Sequence, residues 1–393
     1  MKKYFLIGFV AALPLLIGSC NDGEGETVES SYFIPPIEEP AYSFSRNGSN
    51  NVDVLECEFV KEPIDRIYNS FLKKASIGND VLLQDVMTIY TDYRDVVKPS
   101  QQVATSQIHA ADAEKIRKDV LDMIYTSARI GGYKATENNI RTRPAEPGKT
   151  GYIGYNLGDV NIQFVDERGL AVAEAFKYMI LGSIYIDKIL NVHLDERFFE
   201  SEEMRNKHEN KEMPEGKNYT ELEHHWDLAY GYYQFVQPLV RGEGLPALRG
   251  SEEKIRQAFV YGRIKLGIYD YKQVMEYLHI IRRELSRAIA LRAVDYLIGA
   301  NTLANIKEHV PNAFYFMAQG YGLIYAAQFL RKADGQPYIS YAKANKLLNR
   351  LLQGKGFWDK DRLLKDVNSE GALENIAHEI AHIYGFDINE IRK

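Results

Sequence analysis

Between Asp166 and Leu194 the chain carries Leu170, Val172, Phe176, Met179, Ile180, Leu181, Ile184, Ile186, Ile189 and Leu190, apolar over most of a helix's circumference. A helix of that kind has no side to show to water, so other helices must enclose it. The rest of the sequence supplies them. Apolar residues recur with helical period from Pro63 (Ile64, Ile67, Tyr68, Phe71, Leu72), over about Asp80–Tyr93 and over about Ala111–Ile130. They do so again from Ser251, from Tyr271 to about Leu303, from Pro311 to Leu330, and over about Ser340–Leu352 and Glu370–Gly385. Strand-like alternation is almost missing from the sequence. The predicted fold is all-α, with two packed helical bundles over residues 54–200 and 220–393. A charged run ending at Pro214 and Gly216 predicts a solvated connection over 201–219. Residues 131–162, with Pro144, Pro147 and several glycines, read as a long loop over a surface or cleft.

The N-terminus says where such a fold is sent. Lys2 and Lys3 precede an apolar run from Tyr4 to Ile17, too short for a permanent membrane helix, and Ile17-Gly18-Ser19-Cys20 follows. This resembles the bacterial lipoprotein signal. The resemblance implies that residues 1–19 are removed and that a lipidated Cys20 ties the protein to a membrane by acyl chains. Asp22, Glu24 and Glu26 behind it resemble the surface-export signal of some Gram-negative lipoproteins, so an outer-membrane lipoprotein facing the periplasm or the surface is expected. Residues 20–53 read as a tether, with a short strand or loop between Tyr42 and Val54. With Cys20 lipidated, Cys57 has no disulfide partner, and stability must come from helix packing. A net charge of −6, a pI near 5.9 and the lack of a long Lys/Arg run argue against nucleic acid as a partner.

The densest chemistry lies in Tyr219–Tyr233. Thr220 and Glu223 form a capping box at a helix start, and Leu222, Trp226, Ala229 and Tyr233 fall on one apolar face. Glu221 and His225 are neighbours one turn apart at its edge. Two readings follow. In one, Glu221, His224, His225 and Asp227 hold a metal ion or other ligand, with Trp226 and Tyr230 shaping the pocket. In the other, Glu223 caps, Trp226 is core, and the histidines are half-buried residues bonded to a neighbouring helix.

Near the C-terminus, His378-Glu379-Ile380-Ala381-His382 matches H-E-x-x-H, in which two histidines bind zinc and the glutamate activates water. Only 11 residues follow His382, and Ile388 stands where the longer pattern has its third histidine. On the helical wheel Leu373, Ile376, Ala377, Ile380 and Tyr384 form the buried stripe, leaving His378 and His382 on the wet side. Phosphate-loop, G-x-S-x-G and C-x-x-C patterns are missing from the sequence, and Gly320-Tyr321-Gly322 reads as a close helix contact.

The block Glu221-Leu222-Glu223-His224-His225-Trp226-Asp227-Leu228-Ala229-Tyr230-Gly231-Tyr232 resembles a family of bacterial lipoproteins with a domain of no assigned function, associated with imelysin-like, iron-regulated surface proteins. Gly169-Leu170, Gly262-Arg263, Gly320-Tyr321-Gly322 and Gly356-Phe357-Trp358 are further landmarks of the resemblance, which runs from about Tyr42 to the end. It implies an exported, helical, double-bundle protein. The resulting expectation is a non-enzymatic, lipid-anchored protein that binds iron, another divalent metal or an iron-containing ligand, working with other envelope proteins of an uptake system. A zinc metallopeptidase using His378, His382 and Glu379 is the alternative from another class. A glycan-binding lipoprotein is a third, suggested by 27 tyrosines.

Overall fold

The structure, a computed structural model, describes residues 41–76, 81–92, 97–131, 144–154, 163–308 and 310–391. The signal segment, Cys20 and most of the tether lie outside the described residues. A hairpin of β1 (Ser45–Arg46) and β2 (Ser49–Asn50) is the first element of the described residues. It turns at Asn47 and Gly48, both with positive φ, as a tight hairpin turn requires. Helix α1 (Leu55–Arg66) follows and continues through a π-helical stretch, Ile67–Leu72. It begins well before Pro63, at Leu55, whose amide donates to the Asp53 carboxylate at 3.2 Å.

Helices α2 (Leu83–Asp92) and α3 (Ala113–Gly131) come next, then an antiparallel pair, β3 (Gly151–Ile153) and β4 (Gln163–Val165), which the sequence pattern does not announce. Residues 132–143 and 155–162 of the expected loop lie outside the described residues. The central apolar helix starts as α4 (Val172–Ile180), later than expected. Asp166 accepts from the Arg168 and Leu170 amides and Gly169 has φ +82°, so residues 166–170 form a turn. Beyond α4 the helix widens into two π-helical stretches, Leu181–Ile186 and Lys188–His193.

Helix α5 (Glu196–Glu200), capped by Asp195, precedes the stretch expected as a solvated connection; within that stretch Glu202–Glu209 folds into α6, capped by Ser201, and residues 209–217 are exposed. Phe199 and His208 are buried there. Then come α7 (Glu221–Val240), α8 (Ser251–Gly267) and α9 (Tyr271–Ile298). Gly250, left-handed, occupies the cap position of α8, and Ser251 is already helical. The helix expected to reach Leu303 breaks at Gly299 and restarts as α10 (Ala300–Glu308). Helices α11 (Val310–Ala326), α12 (Tyr341–Leu351) and α13 (Leu373–Tyr384) complete the fold.

The all-α prediction holds, with packed helical bundles. Helix α11 lies along α4, α7 packs on the π-helical stretch that follows α4, and α8, α11 and α13 pack on α9. Elements from both expected halves thus share one core, and Pro40–Lys393 form one compact unit. Gly322 makes the α4–α11 approach close, since a Cβ there would stand 2.5 Å from the Tyr178 Cβ and 2.7 Å from the Ala175 carbonyl oxygen. Two other landmarks meet each other. The Phe357 amide donates to the Arg168 carbonyl at 2.8 Å, and Gly169 lies against Trp358. Gly356 has φ +62°, and a Cβ there would overlap the Arg168 carbonyl. Gly356→Ala is therefore expected to cost about 2 kcal/mol or more, read as a lowered midpoint in urea unfolding. Among the described residues no helix is long and apolar enough to cross a membrane.

Candidate functional site

The capping box at Thr220 and Glu223 forms as expected, and it is one corner of a larger buried network. Glu223 and Asp227, one turn apart on α7, both face Arg263 of α8, at 3.1 Å and 2.9 Å. The N-terminal strap closes the network from outside. Arg46 holds both Glu223 oxygens at 2.9 and 2.8 Å, and the Tyr42 hydroxyl donates to Asp227 at 2.5 Å. The Tyr42 ring stacks on Tyr230 with centroids 3.7 Å apart, and the Arg263 guanidinium lies 5.0 Å from the centre of the Phe44 ring. Trp226, fully buried, donates from its indole nitrogen to the Phe259 carbonyl at 2.9 Å, and its ring fills the space left by Gly262. The E-H-H-W-D block and the Gly262-Arg263 landmark are therefore two halves of one lock.

That lock dissolves the expected ligand set. Asp227 is engaged by Arg263 and Tyr42, while Glu221 points to solvent. His224 stacks on Tyr219 at 4.3 Å, whereas His225 meets His193, Nδ1 to Nδ1, at 3.2 Å. Among the described residues no group of three or more His, Cys, Asp or Glu side chains is placed to hold a metal ion. The second motif is similarly placed. His378 and His382 are exposed as the helical wheel predicts, and Glu379 is ion-paired with Lys343 and Arg350.

The chemistry concentrates instead along the π-helical stretches, where a wider helix sets side chains at angles an α-helix does not reach. Such stretches are rare and frequently mark functional sites. Ser183, Asp187, Lys188, Asn191 and His193 are all buried there. Asp187, fully buried, accepts from the Ser106 hydroxyl at 2.5 Å, the Ser106 amide at 3.1 Å and Asn191 at 2.9 Å. Beside it an open recess of about 440 Å³ is lined by Gln107, Leu190, Asn191, Glu196, Arg282 and Arg331, among others.

Two buried guanidinium groups line this recess. Arg282 bonds Glu196 and the Leu194 carbonyl, the latter at 2.8 Å. Arg331 is only 1% exposed, and its hydrogen bonds with described residues go to neutral acceptors: the Gln328 and Leu330 carbonyls at 3.3 and 3.2 Å and His109 Nε2 at 3.0 Å. Asp187 acts on Arg331 only through space, and burial pulls the guanidinium down to about 10. Burial also lowers His109 to about 4, so near neutral pH its Nε2 accepts from Arg331 and its proton sits on Nδ1. Sequence reading misses this site because the helix is apolar over most of its circumference. Its signal was present in Asp187, Lys188, Asn191 and His193, four polar residues inside a run that has to be buried.

Burial likewise lowers His225 to about 4. Its imidazole resonances are expected to stay flat from pH 8 to 6 and to titrate near pH 4 by NMR; titration between 6 and 7 would contradict the buried pairing. The unfolded chain takes up these protons near pH 6.5, so His109 and His225 each withdraw stability as pH falls from 6.5 towards 4. Asp227 works the other way. Burial raises it to about 6 against the pull of Arg263, so the folded chain takes that proton first and gains stability as pH falls from 6 towards 3.8.

A search of the curated proteins and of the solved structures returned no significant match. One family model does match, over residues 39–387. That span takes in the strap, the lock around Arg263 and the recess at Arg331, and the chain therefore belongs to the family described as Domain of unknown function (DUF4856).

Proposed function

We propose that this protein is an exported binding protein of the cell envelope, tethered to the outer membrane through a lipidated Cys20, that takes a small anionic ligand into the recess beside Arg331. The observation that carries this reading is Arg331 itself, a buried cation at the wall of an open cavity whose hydrogen-bond partners are neutral and which Asp187 counters only through space. A buried charge is costly until an opposite charge meets it, and a planar guanidinium suits a carboxylate or phosphate. Carboxylate chelates of iron belong to this ligand class, which keeps an uptake role with other envelope proteins within the proposal. The resemblance of the Glu221–Tyr232 block to imelysin-like surface proteins favours a binding role over catalysis. The peptidase alternative has weaker support, since Glu379 is held by two cations. The glycan alternative lacks an aromatic platform among the residues lining this recess.

Titration calorimetry of the purified full chain against succinate, citrate, ferric citrate and inorganic phosphate tests the proposal. At least one anion is expected to bind, and Arg331→Gln to weaken it roughly 10- to 100-fold, the worth of a hydrogen bond to a charged group. Unchanged affinity in a folded Arg331→Gln variant, or no binding by any carboxylate- or phosphate-bearing ligand, zwitterions included, would overturn it.

A further inference from the structure

The walls of the recess offer more than a cation. Asn191 spends both of its donated hydrogen bonds on Asp187 and the Phe329 carbonyl, at 2.9 and 3.1 Å, while its Oδ1 is buried with no partner among the described residues. Arg282 Nε is a buried donor in the same condition. Both residues line the same cavity, with these two atoms sealed beneath its surface. The charges of the lining are divided. Of the lining carboxylates, Asp195 is neutralised by Arg197 and Glu196 by Arg282, which leaves Arg331 buried and Glu200 and Asp334 exposed at the rim. Leu190 and Ile108 add an apolar patch to the lining.

We infer, resting on the anion-binding reading above, that the ligand is a zwitterion, an α-amino acid or short peptide with a free amine. Its carboxylate meets Arg331, and its ammonium meets Glu200 and Asp334 at the rim of the same recess. The placement follows from desolvation. The carboxylate goes where a guanidinium is already buried, and the ammonium goes where exposed carboxylates stand at the rim of the same recess. A cavity of about 440 Å³ is of the size that binds small molecules and holds a single amino acid or a short peptide.

Calorimetry on the purified full chain, with the twenty amino acids and trialanine as probes, tests the inference. At least one zwitterion is expected to bind, and its N-acetyl and its carboxamide derivatives to bind at least tenfold more weakly. Glu200→Gln with Asp334→Asn, both exposed positions, is expected to weaken the zwitterion severalfold and to leave its N-acetyl form unchanged. Equal binding of the N-acetyl form overturns the ammonium assignment and leaves the anion reading standing, as does binding of succinate or phosphate with no zwitterion bound. No binding by any zwitterion or simple anion overturns both. The blocked ligands are compared on the unaltered protein, so folding of the variants does not decide the result.

Discussion

Arg263→Leu is expected to cost about 3–5 kcal/mol of folding stability, the range for breaking a buried ion pair from one side. The loss comes from what stays behind. Glu223 and Asp227 are 3% and 0% exposed at the side chain and both lean on this one guanidinium. Without it, Asp227 keeps only the Tyr42 hydroxyl, while Glu223 still has Arg46, which is itself 18% exposed. The strap is then held by fewer charges, so Arg46 and Tyr42 should exchange their amide protons faster than the helical core. Urea unfolding measures the stability loss. Adding Asp227→Asn to Arg263→Leu should cost much less than it costs alone, because the charge it removes has already lost its partner. Strict additivity of the two would show that the groups do not act as a pair.

Trp226→Ala comes next, at about 3–5 kcal/mol, since it empties a fully buried volume and removes the hydrogen bond from its indole N–H to the Phe259 carbonyl. The neighbouring glycine gives a sharper test. A Cβ at Gly262 would overlap the Trp226 ring, so Gly262→Ala should destabilise the protein by about 1–3 kcal/mol. In the Trp226→Ala background the overlap is gone and the helix preference of alanine takes over. Gly262→Ala should then stabilise by up to about 1 kcal/mol. A change of sign between the two backgrounds, measured by thermal or urea unfolding, is the signature of this contact. The same sign in both would place the cost elsewhere.

These two results concern the stretch that looked most like a site in the sequence. Its composition was read correctly as special, and its start at the Thr220–Glu223 capping box was legible because a cap is made by residues three positions apart. Its meaning was not legible. Asp227 meets Arg263 across 36 positions and Tyr42 across 185, and no local pattern tells a carboxylate that lies open to a metal from one already claimed by a guanidinium. The exposed histidines at 378 and 382, by contrast, followed directly from the wheel, because there the apolar stripe alone decides which side is wet.

Helical period and caps are short-range properties, so the sequence by itself determined that the fold would be all-α in class, where most helices lie and which faces are buried. Breaks at Gly299 and in the Asp166–Leu170 turn escaped it, because apolar spacing continues across both. Only the tertiary structure decided that the two expected halves share a core, that the central helix widens into π turns, and that Arg331 meets His109 from 222 positions away beside Asp187. The reason is physical. A charge inside a protein takes its character from whatever packs around it, and the packing is set by helix faces that meet only after the chain has folded.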